Sequence, residues 1–290
     1  MDFASNRFRD VFRYYQEELQ NTYDQTEARN ILFLLFESIL KTRKADLIIN
    51  SEQRISESEI LEIHKAVLKL KQNWPIQYIT GETEFLNCRI MLNRNVLIPR
   101  PETEELVKFV SENLKSCNSQ LKILDIGTGS GCIAIALKTN IIHANVFAID
   151  NSSKAIETAI ENAAINKTPV DFAQADILNY RKPLGFPDKF DVLISNPPYV
   201  RLQERNEMKP NVLDYEPEEA LFVKDEDPLL YYRNILDVSS KILTENGKIY
   251  LEINEYMHND LKDLLNRYPQ YTYYFQKDLR DKYRMLSLYR

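Results

Sequence analysis

Glycine is scarce in this chain: its 290 residues hold six, and none precedes Gly81. The first eighty residues therefore lack the residue that tight turns favour, while three of the six glycines fall within 127–131. Cysteine is also sparse. Cys88, Cys117 and Cys132 are odd in number and show no CxxC spacing, which reads as reduced thiols and excludes a disulfide framework. The three histidines, His64, His143 and His258, lie far apart in sequence. They lack metal-ligand spacing, so no zinc pattern is visible and no metal is expected. Long apolar runs are missing too. The greasiest, residues 31–40, is ten residues long and interrupted by Glu37 and Ser38, too short to span a bilayer. The opening Met1-Asp2-Phe3-Ala4 has neither the basic nor the apolar region of a secretory signal. The expectation is a cytoplasmic chain with no membrane partner.

An excess of positive charge is likewise absent. Lys and Arg total 37 against 43 Asp and Glu, for a net charge of −6. That balance argues against a nucleic-acid coat and against a surface that hugs anionic membrane. Hydrophobic content of 44% and charged content of 28% are near globular averages, which argues against disorder. The length suffices for a large core plus a smaller module.

The glycine-free start reads as a helical bundle over residues 1–75. Phe8, Val11, Phe12, Tyr15 and Leu19 follow helical spacing, as do Ala28, Ile31, Leu32, Leu35 and Ile39. Ser56 and Glu59 match a capping box, with Ile60, Ile63, Val67 and Leu70 on one face behind it. Trp74-Pro75 stops that helix. This module carries 11 Lys/Arg against 12 Asp/Glu, so it is no basic arm, and its apolar stripes read first of all as a core. Residues 76–105 form a connector: Thr83 to Leu92 alternates as a short hairpin, and Pro101 suits an early helical position.

From residue 106 to 290 strands alternate with helices. Strands are expected at 121–126, 145–149, 170–175, 190–195 and 248–253, with a closing antiparallel pair at 271–275 and 285–289. Helices are expected between them, and a long loop over 200–226. Strands separated by helices imply a parallel, doubly wound α/β sheet. No internal repeat and no low-complexity tract interrupts the pattern.

Two motifs carry chemistry. Asp125-Ile126-Gly127-Thr128-Gly129-Ser130-Gly131 lies between a strand and a helix, where glycines let the backbone turn sharply and approach a ligand. The spacing is G-x-G-x-G. It departs from the dinucleotide fingerprint, since Cys132 stands at the third glycine's place, and no Gly-Lys-Ser/Thr makes it a phosphate loop. Asp150 closes the next strand, suited to accept from both hydroxyls of a ribose. Asp176, after the third strand, suits an adenine amino group. Taken alone, the loop fits a tight turn beside a solvated Asp150, or a nicotinamide site.

The second motif, Asn196-Pro197-Pro198-Tyr199, follows the fourth strand at the carboxyl edge of the sheet, where open sheets of this kind bind ligands. The prolines fix two φ angles and hold the adjacent carbonyls in place. A planar amino group is a poor nucleophile because its lone pair is delocalised. The Asn196 side-chain oxygen and the Pro197 carbonyl can accept its two N–H bonds, aim the nitrogen at a sulfonium methyl and stabilise the developing charge. Tyr199 offers a flat face. The plainer reading is a proline-rich turn with a packed tyrosine.

The combination resembles the HemK/PrmC family, the release-factor glutamine methyltransferases. The resemblance covers nearly the whole chain. It lies in Pro75-Ile76-Gln77-Tyr78-Ile79-Thr80-Gly81, Glu84-Phe85, Leu97-Ile98-Pro99-Arg100-Pro101-Glu102-Thr103-Glu104, the stretch from Asp125 to Gly131, Asn196 to Tyr199, and Tyr215-Glu216-Pro217 with Ala220-Leu221. It implies a class I (Rossmann-like) methyltransferase with a seven-stranded sheet at 106–290, behind a hairpin connector and a helical substrate-docking bundle at 1–75. It implies S-adenosyl-L-methionine as methyl donor, leaving S-adenosyl-L-homocysteine, with contacts from Gly127, Thr128, Gly129, Ser130, Gly131, Asp150, Ile177 and Asn196. The acceptor it implies is the glutamine of the Gly-Gly-Gln motif in class I peptide chain release factors, held by Asn196, Pro197, Pro198 and Tyr199, with no direct nucleic-acid partner. Two positions depart from the family pattern: Ile177, where an aromatic is frequent, and Asn254, where glycine is usual. The rival activity is methylation of an exocyclic amine on adenine or guanine, which needs a flipped or unpaired base and usually a basic surface. A catalytically silent binding module is the rival of a different class, against which the intact motifs speak.

Overall fold

The structure is a computed structural model that describes residues 4–115 and 120–290; Cys117 lies outside them. It divides into two compact units, Met1–Glu82 with Lys209–Tyr215, and Thr83–Met208 with Glu216–Arg290.

The first unit is helical: α1 (Phe8–Leu19), α2 (Gln25–Leu40), α3 (Lys44–Ile49), α4 (Glu57–Leu70) and α5 (Ile76–Thr80). All five apolar positions expected on the first helix are buried. The Ser56/Glu59 capping box is present at the start of α4, with both reciprocal bonds made. Phe8, Phe12, Phe33 and Phe36 stack edge to face or tilted at the centre of the core. Burial of each contributes about 1.5–3 kcal/mol. Helices α3 and α5 do not emerge from the periodicity, because five or six residues cover less than two turns. Residues 209–215 complete this unit. The Tyr215 ring lies 4.7 Å from that of Trp74, and its hydroxyl donates to the Gln72 carbonyl at 2.6 Å.

The second unit begins with the expected hairpin, β1 (Glu82–Phe85) and β2 (Cys88–Met91), followed by α6 (Pro101–Leu114) with Pro101 in its first turn. Then come β3 (Lys122–Ile126), α7 (Cys132–Asn140), β4 (Asn145–Asp150), α8 (Ser153–Ile165), β5 (Asp171–Gln174), β6 (Phe190–Ser195), α9 (Leu230–Ile242), β7 (Leu243–Glu252), α10 (His258–Leu265), β8 (Thr272–Lys277) and β9 (Tyr283–Tyr289). The seven-stranded sheet runs β8-β9-β7-β6-β3-β4-β5. Pairings among β7, β6, β3, β4 and β5 are parallel, and β9 pairs antiparallel with both β7 and β8. The chain proceeds from β3 outward to β4 and β5, then returns to place β6 on the other side of β3. That reversal opens a crevice at the carboxyl ends of β3 and β6. The β3 and β6 ends are tied there by Ser195 Oγ, which donates to the Ile126 carbonyl at 2.6 Å.

Segment 200–226 differs from the single loop expected. It holds a 3-10 turn at Leu202–Glu207, one-turn helices at Pro210–Leu213 and Glu218–Leu221, and a short parallel pairing of Val200–Arg201 with Phe222–Val223. β7 begins at Leu243, five residues before the expected Lys248. Its first residues pair with Phe190 through a register shift that sequence alternation does not reveal. Among the described residues no helix is long and apolar enough to cross a membrane. Cys88 and Cys132 are buried free thiols.

Candidate active site

The glycine loop is built by backbone geometry. Gly127 and Gly129 have φ of 74° and 54°, in the left-handed region, and no heavy atom lies within 4 Å of the place a Cβ would take on either. The open side of that loop is the floor of a cavity of about 400 Å³ at the carboxyl edge of the sheet, within the usual size of small-molecule sites. The loop is drawn onto the end of β4, where the Gly127 and Thr128 N–H groups both donate to the Ile149 carbonyl at 2.9 and 3.0 Å. Below it, Thr128 Oγ1 donates to the buried Asp125 carboxyl at 2.6 Å. Gly131 plays another part: a Cβ there would meet Ala159 Cβ at 3.0 Å, so it permits the close approach of α7 to α8.

Burial pushes the Asp125 carboxyl up to about 7 from an ordinary 3.8, against the downward pull of Thr128. Between those values the folded chain keeps a proton that the unfolded chain releases. Asp125 therefore favours folding fully below about pH 4, and its contribution is lost as the pH rises through about 7. Asp125→Asn cannot ionise. In denaturant titrations the wild-type chain should lose stability relative to Asp125→Asn between about pH 4 and about pH 7, and the gap should be level above that. A wild-type-to-variant gap that is flat or widens in the other direction would show that Asp125 is ionised throughout.

Asp150 stands at the end of β4 and lines the cavity. Its Oδ2 accepts from the Gly129 N–H and its Oδ1 from the Ser152 N–H, both at 2.9 Å. Burial raises its pKa, while the N–H groups of Ser152 and Gly129 lower it. Asp176 and Ile177 line the cavity as well. Asp176 caps a short 3-10 turn, accepting from Leu178 N–H and from Asn179 Nδ2 at 2.8 and 3.0 Å, and Ile177 is 8% exposed.

Asn196, Pro197 and Pro198 extend from β6 into the wall of the same cavity. The Asn196 Nδ2 group donates to Thr103 Oγ1 at 3.0 Å. Tyr199 lies behind the wall rather than in the lining. Its hydroxyl donates to Glu252 Oε1 at 2.9 Å, and burial holds its phenol well above the ordinary range, with the Glu252 charge adding to the effect. Thr103 Oγ1 donates to Glu252 Oε2 at 2.7 Å. Burial pushes Glu252 up, and the two hydroxyl donors oppose that.

Of the residues expected at the site, Gly127, Gly129, Asp150, Asp176, Ile177, Asn196, Pro197 and Pro198 line one cavity. Thr128, Ser130, Gly131 and Tyr199 lie outside its lining and shape it from behind. The Ile-Pro-Arg-Pro-Glu-Thr-Glu stretch also acts from behind. The Ile98 N–H and the Arg100 guanidinium bind the two carboxylate oxygens of the buried Glu216 at 3.1 and 2.6 Å. Glu216 is followed by Pro217, Glu219 and Ala220, which line the cavity. Periodicity misses these residues, along with Arg94 to Leu97 and Tyr231. Leu97, Glu216, Pro217 and Ala220 fall within the motif stretches, whereas Arg94, Asn95, Val96, Glu219 and Tyr231 carry no sequence signal. Asn254 braces the segment after the corner. Its Nδ2 donates to the Tyr199 carbonyl at 3.3 Å and to Glu204 at 3.1 Å. Its φ of −71° needs no glycine.

The family described as PrmC N-terminal domain matches residues 10–81, and the family described as Methyltransferase small domain matches residues 103–214. A protein of Flavobacterium psychrophilum named release factor glutamine methyltransferase is 42% identical over 274 residues, 94% of this chain and 95% of its own. A Bacteroides thetaiotaomicron protein of the same name is 36% identical over 277 residues, 96% of this chain and 98% of its own. Among solved structures, a protein-(glutamine-N5) methyltransferase (release factor-specific) from Alicyclobacillus acidocaldarius is 25% identical, with a TM-score of 0.42 over 69% of this chain and 98% of its own.

Proposed function

This chain belongs to the release factor glutamine methyltransferases, and on that footing we propose that its cavity is where a methyl group passes from S-adenosylmethionine to the side-chain amide nitrogen of the Gly-Gly-Gln glutamine in class I peptide chain release factors. The observation that carries the reading is the placement of Asn196-Pro197 on the same cavity as the open glycine loop, at the ends of two adjacent parallel strands.

The residues present fit the methyl donor. The space beside Gly127 and Gly129 that any Cβ would fill is free for a ligand. The Asp150 carboxylate is held by two N–H groups that leave it further lone pairs for ribose hydroxyls. Asp176 and Ile177 suit the polar edge and the face of an adenine. When bound, S-adenosylmethionine supplies a methyl group made electrophilic by the sulfonium. The chain's own part is orientation. The Asn196 Oδ1 and the Pro197 carbonyl accept the two N–H bonds of the glutamine amide and turn its nitrogen toward the methyl. They would also stabilise the positive charge that grows on that nitrogen as the N–CH3 bond forms and the S–CH3 bond breaks, S-adenosylhomocysteine being left as the neutral thioether and one of the two amide protons passing to solvent. The prolines keep these acceptors from relaxing.

Three further expectations follow from these roles. Asp150→Ala should weaken S-adenosylmethionine binding by about 1.5–3 kcal/mol, the worth of a hydrogen bond to a charged group, with the fold kept. Calorimetry that returned the wild-type affinity would take Asp150 out of the site. Methyl transfer from a sulfonium needs no Lewis acid, so turnover should persist in EDTA; a loss reversed by adding one metal back would reveal a requirement. Residues 1–75 serve to dock the protein substrate. A chain starting at Pro75 should bind S-adenosylmethionine but methylate the release factor with a much lower kcat/KM, and full turnover by that chain would remove the docking role.

A further inference from the structure

The hydrogen bonds behind the Asn196 corner run in one direction. Glu252 sits at the end of β7 and is 1% exposed, and Thr103 in the first turn of α6 is 3% exposed. A carboxylate only accepts. Its two oxygens are met by the Thr103 hydroxyl at 2.7 Å and the Tyr199 hydroxyl at 2.9 Å. Thr103 has one hydroxyl hydrogen, and it is committed to Glu252. Toward Asn196 the Thr103 oxygen can therefore only accept, and Asn196 meets it with the Nδ2 group at 3.0 Å.

Asparagine is ambiguous by nature, since its two ends are nearly the same shape and opposite in hydrogen-bonding sense. With its amide reversed, Asn196 would set an oxygen against the Thr103 oxygen, and both would lose a bond in a partly buried place. It would also offer N–H groups to a substrate amide that brings N–H groups of its own. We infer that Glu252 and Thr103 are positioning residues for methyl transfer: the relay Glu252–Thr103–Asn196 fixes which end of the Asn196 amide faces the substrate and presents an acceptor there. The inference builds on the proposed reading that Asn196 accepts from the glutamine amide. It assigns a purpose to a buried carboxylate and threonine that otherwise look like core filling. Tyr199 belongs to the same relay, since its phenol occupies the second carboxylate oxygen and leaves Thr103 the first.

The relay makes a demand that packing alone does not. In Glu252→Gln the shape is kept. If Tyr199 still donates to the remaining oxygen, the new amide N–H₂ faces Thr103, whose hydroxyl hydrogen then turns toward Asn196 and favours the reversed amide. Steady-state kinetics on purified release factor, with calorimetry of S-adenosylmethionine binding and thermal melting of each variant, read this out. Glu252→Gln and Thr103→Val should each lower kcat by on the order of 10², the cost of misplacing a reacting group. KM for the release factor and cofactor affinity should stay near wild type. Thr103→Ser keeps the hydroxyl and should recover most of the rate lost in Thr103→Val. If Thr103→Val does not fold, Glu252→Gln and Thr103→Ser carry the comparison. Wild-type kcat in Glu252→Gln would overturn the relay, as would a Thr103→Ser rate as low as that of Glu252→Gln. Asn196→Ala, measured alongside, separates the two levels. Loss there with full rate in the relay variants sinks the relay alone, whereas full rate in Asn196→Ala sinks the reading beneath it.

Discussion

Asn196→Ala should cut turnover on the release factor by roughly 10²–10³, the loss that follows removal of one preorganised electrostatic group. The reason is the chemistry of the acceptor. An amide nitrogen shares its lone pair with the carbonyl, so it attacks only when its hydrogens are held and the charge it gains is met. Asn196 and Pro197 supply those two acceptors in the proposed site, and alanine leaves one. Binding of the release factor should change far less, because the docking surface is expected elsewhere in the chain. Asn196→Asp keeps an oxygen and should retain some rate. It also adds an anion near the sulfonium, so tighter cofactor binding should accompany it. The two variants together distinguish an orienting acceptor from a residue that merely fills the corner. An alanine variant with wild-type kcat would contradict the account.

Changes on the substrate should have effects at least as large. Replacing the glutamine of Gly-Gly-Gln by glutamate removes the nucleophilic nitrogen, and methylation should stop. Replacing it by asparagine keeps the amide but shortens the reach by one methylene, about 1.5 Å, where even about 1 Å of misplacement costs on the order of 10² in rate. The asparagine substrate should therefore bind nearly as well as the natural one and react very slowly. Equal rates on glutamine and asparagine would mean that the corner does not hold the amide in a fixed pose. Single-turnover measurements at saturating release factor give the comparison directly.

Much of this site is legible in the sequence because its parts are local. The glycine loop spans five residues between a strand and a helix. Asn196-Pro197-Pro198 follows directly on β6, whose run Phe190 to Ser195 matches the expected strand end for end. Alternation of strands and helices then puts both motifs on one edge of the sheet. The buried faces of α1 and α4, and the capping box of α4, are likewise local patterns.

What stays hidden depends on partners distant in the chain. Glu216 stands out in sequence only as part of the Tyr215-Glu216-Pro217 stretch, with nothing to name its partners. It becomes buried because Ile98 and Arg100, more than a hundred residues earlier, bind both of its oxygens. Segment 200–226 looks like a loop because its helices are one turn long and carry no periodicity. Tyr215 is held by Gln72 and Trp74, which no spacing rule connects to it. Glu252 is the sharpest case. It ends a strand that is apolar in pattern, and only the three-dimensional placement of Thr103 and Tyr199 shows that its carboxylate is matched. Asn254 reads as a departure from the family's glycine, and its use in holding the Tyr199 carbonyl and Glu204 emerges from contacts alone.

The central claim concerns which atom receives the methyl group. The most direct measurement is mass spectrometry of a class I release factor after incubation with this protein and S-adenosylmethionine, in a mixture that also contains cellular RNA and DNA. The account predicts one added methyl on the release factor, carried by the side-chain nitrogen of the Gly-Gly-Gln glutamine. An unmodified release factor beside methylated adenine or guanine would contradict it and give the site to a nucleic-acid amine instead.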